Sequence, residues 1–289
     1  MFHPCPPNGG HGFCRFPFSY KLSMPLSFVR TLLVAIVASG LLFHPCNAAQ
    51  LTLNINVDIE GRQFLITNQQ KVAIALASPL SESNTAIVVA FVIEPSADST
   101  RIVFDSDAIL YVSYSPVAAF DIIKIAYPAP TPVVYGQAYN FNGVAIVGGD
   151  TRAGLDGYVT IYFDAPQSST LPVETGLAWY IHEKDTSSPT LPLPINYYTL
   201  YPYETRVIPK PDPVVWVFIA SNDISAGSVL PVSIMKPLSN SVQAFNVGTD
   251  SVKQAAVPQI GDYLSVDLDA PEQATIHFEL TKNAFVYGP

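Results

Sequence analysis

Residues 51–60 alternate apolar and polar side chains without interruption. Successive side chains of a β-strand point to opposite faces of its sheet, so this period of two predicts a half-buried strand. Gly61 then marks a turn, and residues 64–67 begin a second short strand. This stretch of the chain is therefore predicted to be β-structure.

One strand pattern recurs three times along the chain. Each copy alternates apolar residues with small or polar ones, ends at a proline and is followed by another apolar run; the copies are residues 72–79, 159–166 and 264–271. Self-similarity of this kind indicates a repeated β-unit. The spacing of the closing prolines is close to the ~100 residues of one β-sandwich module.

The rest of the chain consists of short apolar runs separated by Gly, Pro, Asn, Asp and Ser, and no stretch carries a helical stripe. This arrangement is typical of an all-β protein. Residues 214–219 are apolar without alternation, which predicts a central strand covered on both faces.

We therefore predict an all-β fold of two packed β-sandwich modules, Ig-like or Greek-key, related by an internal duplication. The first module would span residues 50–143. The second would span residues 144–289 and contain a proline- and tyrosine-rich insert at 187–213. A single larger, pseudo-symmetric β-sandwich is the alternative, because three copies of the motif do not divide evenly between two modules.

Three proline-rich segments are predicted to lie at sheet edges: residues 128–132, 189–194 and 209–213. Proline has no amide hydrogen to give to a ladder, so it belongs on edge strands or in extended connectors. There it stops an exposed edge from pairing with another chain. Recognition of these segments as proline-rich ligands is the alternative.

The N-terminal segment has the features of an export signal. The first 49 residues contain no Asp or Glu, carry three Lys or Arg residues, and include an apolar stretch at 32–43 followed by small residues at 47–49. This predicts a secretory signal peptide over residues 1–49. Met24 is an alternative start, in which case residues 1–23 are an N-terminal extension. We expect a secreted, extracellular protein, because no other stretch approaches the ~20 apolar residues of a membrane span.

The chain is acidic, with a formal net charge of −9, and removal of the basic leader makes the remainder more acidic. Such a surface repels phosphate backbones and anionic membranes, which argues against nucleic acid as a partner. All three cysteines precede the predicted cleavage site, so the mature chain would be free of cysteine. Its ~240 residues are enough to bury a core without disulfides.

Few side chains suit catalysis. His182 and His277 are the only histidines beyond the leader, neither has the spacing of a zinc-binding helix, and no Gly-x-Ser-x-Gly elbow is present. We therefore predict no catalytic residue and no metal ligand, and an enzyme is the less favoured class. A hydrolase that uses two carboxylates stays open, because the sequence alone cannot pair 23 acidic residues.

Calcium is a further candidate cofactor. Asp105 with Asp107, Asp267 with Asp269, and the loop at 149–157 place carboxylates where loop oxygens could gather. None of these segments completes a recognised calcium loop. Turn formation is the better explanation for an aspartate that precedes Ala-Pro.

The candidate ligand-binding residues are four tyrosines of the insert: Tyr197, Tyr198, Tyr201 and Tyr203. Tyrosine combines a flat apolar ring with a polar tip, which suits sugar stacking or a protein interface. The alternative is that these rings only cover an edge of the sandwich. Trp216 is predicted to lie in the core.

These features together favour a secreted, non-catalytic binding or structural protein, associated with a cell wall or a host surface. Its partner would be an extracellular carbohydrate or a protein surface. A lectin-like carbohydrate-binding protein, aided by calcium, is the first alternative. A glycan-active hydrolase is the second. The sequence does not indicate an oligomeric state.

Overall fold

The computed structural model describes most of the chain that follows the predicted signal peptide. The described residues are 50–77, 86–105, 107–115, 117–148, 154–166, 171–184, 191–238, 260–269 and 273–288. All of them belong to one compact unit, Ala48–Pro289. The predicted signal peptide lies outside the described residues and stays a prediction.

The described residues form nineteen strands, one short α-helix and one turn of 3₁₀-helix at Val232–Ile234. The strands are β1 (Gln50–Asn56), β2 (Gln70–Leu76), β3 (Ala86–Ile93), β4 (Ser99–Asp105), β5 (Ile109–Ser113), β6 (Tyr127–Pro128), β7 (Ala138–Phe141), β8 (Ile146–Gly148), β9 (Tyr158–Phe163), β10 (Val173–Trp179), β11 (Ile181–Glu183), β12 (Leu193–Pro194), β13 (Tyr198–Leu200), β14 (Thr205–Pro209), β15 (Val214–Ser221), β16 (Val229–Pro231), β17 (Leu264–Asp267), β18 (Gln273–Glu279) and β19 (Ala284–Tyr287). The predicted all-β fold class is confirmed.

These strands form four sheets. Sheet A has the order β11-β4-β1-β18-β19, and sheet B the order β16-β3-β2-β15-β17. Sheet C has the order β12-β10-β5-β6, with β13 also paired to β10, and sheet D the order β14-β9-β7-β8. Pairing between named strands is antiparallel except between β1 and β18 and between β7 and β9, which run parallel.

One apolar core joins all four sheets. It contains Leu53 from sheet A, Ile74 from sheet B, Leu177 from sheet C and Phe163 from sheet D, each almost completely buried. Burial of apolar surface is the main favourable term in folding, so this shared core is what holds the sheets together.

A second, smaller apolar cluster covers the other face of sheet B. Phe218 belongs to it, whereas its neighbour Val217 on β15 belongs to the main core. The prediction of a central strand covered on both faces is therefore confirmed for β15. Trp216 differs from its prediction as a core residue, because it is only half-buried and stacks on Tyr263 with ring centroids 4.1 Å apart.

The three copies of the strand motif fall on β2, β9 and β17, so each is a strand as predicted. Their surroundings differ: β2 lies between β3 and β15, β9 lies between β14 and β7, and β17 is an edge strand. The structure does not show the predicted duplication.

The predicted module boundary at residue 143 does not coincide with a boundary between sheets. Sheets A, B and C each pair strands from both sides of it, through β1 with β18, β2 with β15, and β5 with β10. The division into two modules stays a prediction, and such modules would have to exchange strands.

The short strand predicted at residues 64–67 is wrong, because Ile59–Thr67 is the helix, α1. The Asp58 carboxylate accepts the amide of Gly61 at 2.7 Å, which caps the first turn. Gly61 faces sheet A so closely that an added Cβ would lie 2.7 Å from the Phe278 ring. Leu65 is buried and Phe64 stacks on Phe278, so the helix packs against the main core.

The proline-rich segments lie at sheet edges as predicted. Pro128 ends β6, Pro194 ends β12 and Pro209 ends β14, and all three strands are outermost in their sheets. The described part of the predicted insert, from residue 191 onwards, supplies β12 and β13 to sheet C and β14 to sheet D. It is therefore integrated into two sheets.

Replacing Gly176 by alanine is expected to destabilise the protein by about 3 kcal/mol, because the new Cβ would lie 2.2 Å from the carbonyl oxygen of Asn196. That carbonyl accepts the Tyr111 hydroxyl at 2.6 Å, and the Asn196 side chain accepts the Leu177 amide at 2.7 Å, so the loop is held in place. Chemical denaturation measures the loss.

The matched control is Gly261→Ala, since the nearest atom to its added Cβ is 3.5 Å away, an ordinary contact. It should change stability by less than about 1 kcal/mol. Equal stability of the Gly176 and Gly261 variants would contradict the close packing of β10 against Asn196.

Candidate functional site

The outward face of sheet D carries an unusual set of side chains. On β9, Val159, Ile161 and Phe163 enter the core, so the alternating residues Tyr158 and Tyr162 lie on the opposite face. Tyr158 is exposed and Tyr162 is half-buried. The strand alternation therefore places two aromatic rings on a surface that the core supports from behind.

The register of the neighbouring strands shows what surrounds these rings. On β14, Pro209 lies opposite Tyr158 and Thr205 lies opposite Tyr162. β7 and β8 complete the surface on the other side. By register, the residues on this side of sheet D are Ala138, Asn140, Val147, Tyr158, Thr160, Tyr162, Thr205, Val207 and Pro209. Ala138 and the side-chain oxygen of Asn140 are buried. We call these nine residues the outer face of sheet D.

None of these nine side chains is charged. Charged residues stand at the ends of the strands: Glu204 and Lys210 flank β14, and the exposed Asp156 and Asp164 flank β9. Arg206 in the middle of β14 points inward, 5.6 Å from the centroid of the Tyr198 ring. On a chain with a net charge of −9, the side chains of this outer face carry no charge, and they include aromatic rings and hydroxyls.

Two of the four predicted tyrosines border this face. Tyr201 and Tyr203 lie in the turn between β13 and β14 and are 52% and 53% exposed. The Tyr203 amide donates to the carbonyl oxygen of Phe163 at 2.8 Å, which fixes the turn at the end of β9, next to Tyr162. Tyr203 has a positive φ of 65°, so its position depends on a tight turn.

The other two predicted tyrosines lie elsewhere. Tyr198 is 2% exposed and belongs to the main core, so its ring cannot contribute to a contact surface. Tyr197 is half-buried near Glu174 of sheet C, and burial together with that carboxylate raises its pKa. Tyr158 and Tyr162 were missed as site residues, although the alternation of the second motif copy already indicated their outward direction.

Glu174 is the only buried charged residue within the described ranges. The Thr199 hydroxyl donates to its two oxygens at 3.1 and 3.2 Å. Burial raises the pKa of Glu174, and the Thr199 hydrogen bond and Arg206 only partly oppose that shift.

The aspartates weighed as calcium candidates lie on different strands, since Asp105 ends β4 and Asp267 ends β17. Among the residues that the structure describes, no three His, Cys, Asp or Glu side chains gather as a metal site. Asp105, Asp107, Asp267 and Asp269 are all within that part of the chain, whereas residues 149–153 of the third calcium candidate lie outside it. The described residues also contain no helix that is long and apolar enough to cross a membrane.

Glu174→Gln is expected to stabilise the protein at neutral pH. Since burial raises the pKa of this carboxyl, the native state of the wild type loses stability as pH rises above the ordinary glutamate value of 4.5. Glutamine stays neutral, so the gain in Tm over wild type should be present at pH 7 and vanish below pH 4.5. Thermal unfolding across this range measures it.

Glu204→Gln is the matched control, because Glu204 is exposed on the turn before β14. Its effect on Tm should be small, because substitutions at exposed positions usually change stability little. A Glu174→Gln effect that is the same at acidic and neutral pH would contradict the role assigned to burial.

Comparisons with known proteins add no relative. The chain matches no protein-family model, and no similar curated protein or solved structure was found. No fold family or activity of another protein therefore transfers to this chain, and the geometry described above is what supports a function.

Proposed function

We propose that this protein is a secreted, non-catalytic binding protein that contacts an uncharged extracellular polysaccharide with the outer face of sheet D. The observation that carries the proposal is the uncharged, tyrosine-bearing surface on an otherwise acidic chain. The predicted signal peptide supports a place outside the cell.

The chemistry of the face suits a sugar polymer. A tyrosine ring offers a flat apolar surface to the C–H groups of a pyranose, and its hydroxyl can hydrogen-bond to sugar oxygens. Thr160 and Thr205 add hydroxyl groups beside the rings. A charged polysaccharide would find no countercharge on this face.

The spacing of the rings favours a polymer over a single sugar. Tyr158 and Tyr162 are four residues apart on β9, so their Cα atoms lie ~13 Å apart along the strand. Rings at that distance contact different sugars of one chain. Because the strand is fixed by the core behind it, little order has to be gained on binding.

Two alternatives are weaker in this structure. A calcium-aided lectin would need a cluster of oxygen ligands. The described residues contain no group of three acidic side chains that could hold a metal ion. A protein partner would also suit an aromatic, uncharged face, and the binding experiment below separates that case.

The double variant Tyr158→Ala/Tyr162→Ala is expected to weaken binding about 30-fold, since each lost stacking contact contributes about 1 kcal/mol. Sedimentation with insoluble cellulose, chitin and β-glucan measures the affinity, and an anionic pectin tests the charge argument. Tyr201→Ala/Tyr203→Ala should weaken the same binding if the turn extends the contact surface.

Tyr287→Ala is the matched control, because this tyrosine is 55% exposed but lies on sheet A. It should bind like the wild type. A wild-type protein that ignores every neutral polysaccharide, or a double variant with full affinity and an unchanged Tm, would overturn the proposal; the first result would leave a protein partner as the remaining use of this face.

A further inference from the structure

Exposed apolar and aromatic side chains accompany β9 from its start to its end. Near the start, Leu155 and Val134 are each more than half exposed, and the exposed Tyr158 follows on the strand itself. At the other end, the turn before β14 exposes two more tyrosines. Single exposed apolar residues are normal on a soluble protein, whereas several along one strand indicate a contact surface. We call this set, together with the half-buried Tyr162, the β9 row: Val134, Leu155, Tyr158, Tyr162, Tyr201 and Tyr203.

Backbone hydrogen bonds hold both ends of the β9 row in place. At the start, the Tyr158 amide donates to the carbonyl oxygen of Leu155 at 3.0 Å, and the Gly136 amide donates to the carbonyl oxygen of Tyr158 at 2.8 Å. At the end, the Phe163 amide donates to the carbonyl oxygen of Glu204 at 3.0 Å. Both turns are therefore ordered before any ligand arrives, which lowers the entropic cost of binding.

The β9 row is long compared with a single sugar. The strand has six residues, and each adds about 3.3 Å, so a row that reaches past both of its ends is roughly 20 Å long. An extended chain of about four sugar rings fits end to end in that length. A disaccharide covers only part of it.

The charged groups at the two ends of β9 bear on the kind of chain that fits. Asp156 and Lys210 are exposed at its start, and Asp164 and Glu204 are exposed at its end. Three of these four groups are carboxylates, so an acidic polysaccharide would meet like charge at both ends of the row. A neutral chain meets no such repulsion, and its hydroxyl groups can donate hydrogen bonds to the carboxylates.

We propose that the outer face of sheet D binds one extended, unbranched chain of neutral sugars, which lies along β9 and occupies the whole β9 row. This assignment rests on the proposed function and adds to it the shape, direction and length of the bound chain. A straight row favours an extended chain such as cellulose or chitin, because a coiled chain such as amylose leaves the row after a short contact.

A series of oligosaccharides of increasing length tests this assignment. Isothermal titration calorimetry with cello-oligosaccharides and chito-oligosaccharides, from the disaccharide to the hexasaccharide, measures how affinity depends on length. For at least one series, affinity should rise about tenfold or more from the disaccharide to the tetrasaccharide, since each further stacking contact adds about fivefold. It should then level off, because further sugars find no row left to contact. Malto-oligosaccharides of the same lengths should show no such rise.

Variants at the two ends of the row should reduce the effect of length. Tyr203→Asn removes a ring, and asparagine tolerates the positive φ of this position. Leu155→Ala removes apolar surface at the opposite end. The two variants should lower the affinity for the hexasaccharide by about fivefold and about threefold, respectively. The affinity for the disaccharide should stay unchanged, since a disaccharide still fits on the rest of the row.

Leu191→Ala is the matched control, because this leucine is 79% exposed but precedes β12 of sheet C. It should leave the affinity for both oligosaccharides as in the wild type. Thermal unfolding checks that all three variants keep the wild-type Tm, as expected for exposed side chains.

The extended-chain assignment and the proposed function fail in different ways. A wild-type protein that sediments with no neutral polysaccharide contradicts the proposed function itself. If the protein sediments, three results overturn the extended-chain assignment alone: an affinity that does not change with oligosaccharide length, a malto-oligosaccharide series that binds equally well, or end variants that bind the hexasaccharide like the wild type. Sedimentation without binding of any soluble oligosaccharide also overturns it, and would point to a surface of many ordered chains as the ligand.

Discussion

The structure depends on one constraint: four sheets bury their inner faces in the same apolar core. All four sheets contribute to this core, since residues from β1, β2, β9 and β10 meet within it. The outward faces are therefore free to differ in chemistry, as sheets B and D show. The face of sheet B that points away from the main core is covered by a second apolar cluster. The corresponding face of sheet D is an uncharged polar and aromatic surface.

Strand alternation predicted the fold class and the inward residues well, because period two follows directly from backbone geometry. The same logic placed prolines on sheet edges, where an absent amide hydrogen is tolerated. Strand alternation did not predict helix α1. The Asp58 cap and the close fit of Gly61 against Phe278 favour this helix, and neither feature produces a periodic signal in the sequence. The pairing of distant strands could not be predicted either, because a repeated motif does not specify which strands become neighbours.

The candidate site divides in the same way. Clustering in sequence grouped four tyrosines, yet Tyr198 faces the core and Tyr201 faces solvent, because β13 and the following turn point them in opposite directions. Tyr158 was readable from alternation, but nothing in its own segment indicated that β14 would lie beside it.

The parallel pairing of β1 with β18 joins residues that are more than 200 positions apart in the chain. On a ribosome, β1 and its other neighbour β4 emerge long before β18 has been translated. Sheet A is therefore completed only after β18 and β19 have been translated. A chain with so many distant contacts folds slowly, because distant segments lose loop entropy before their contacts form.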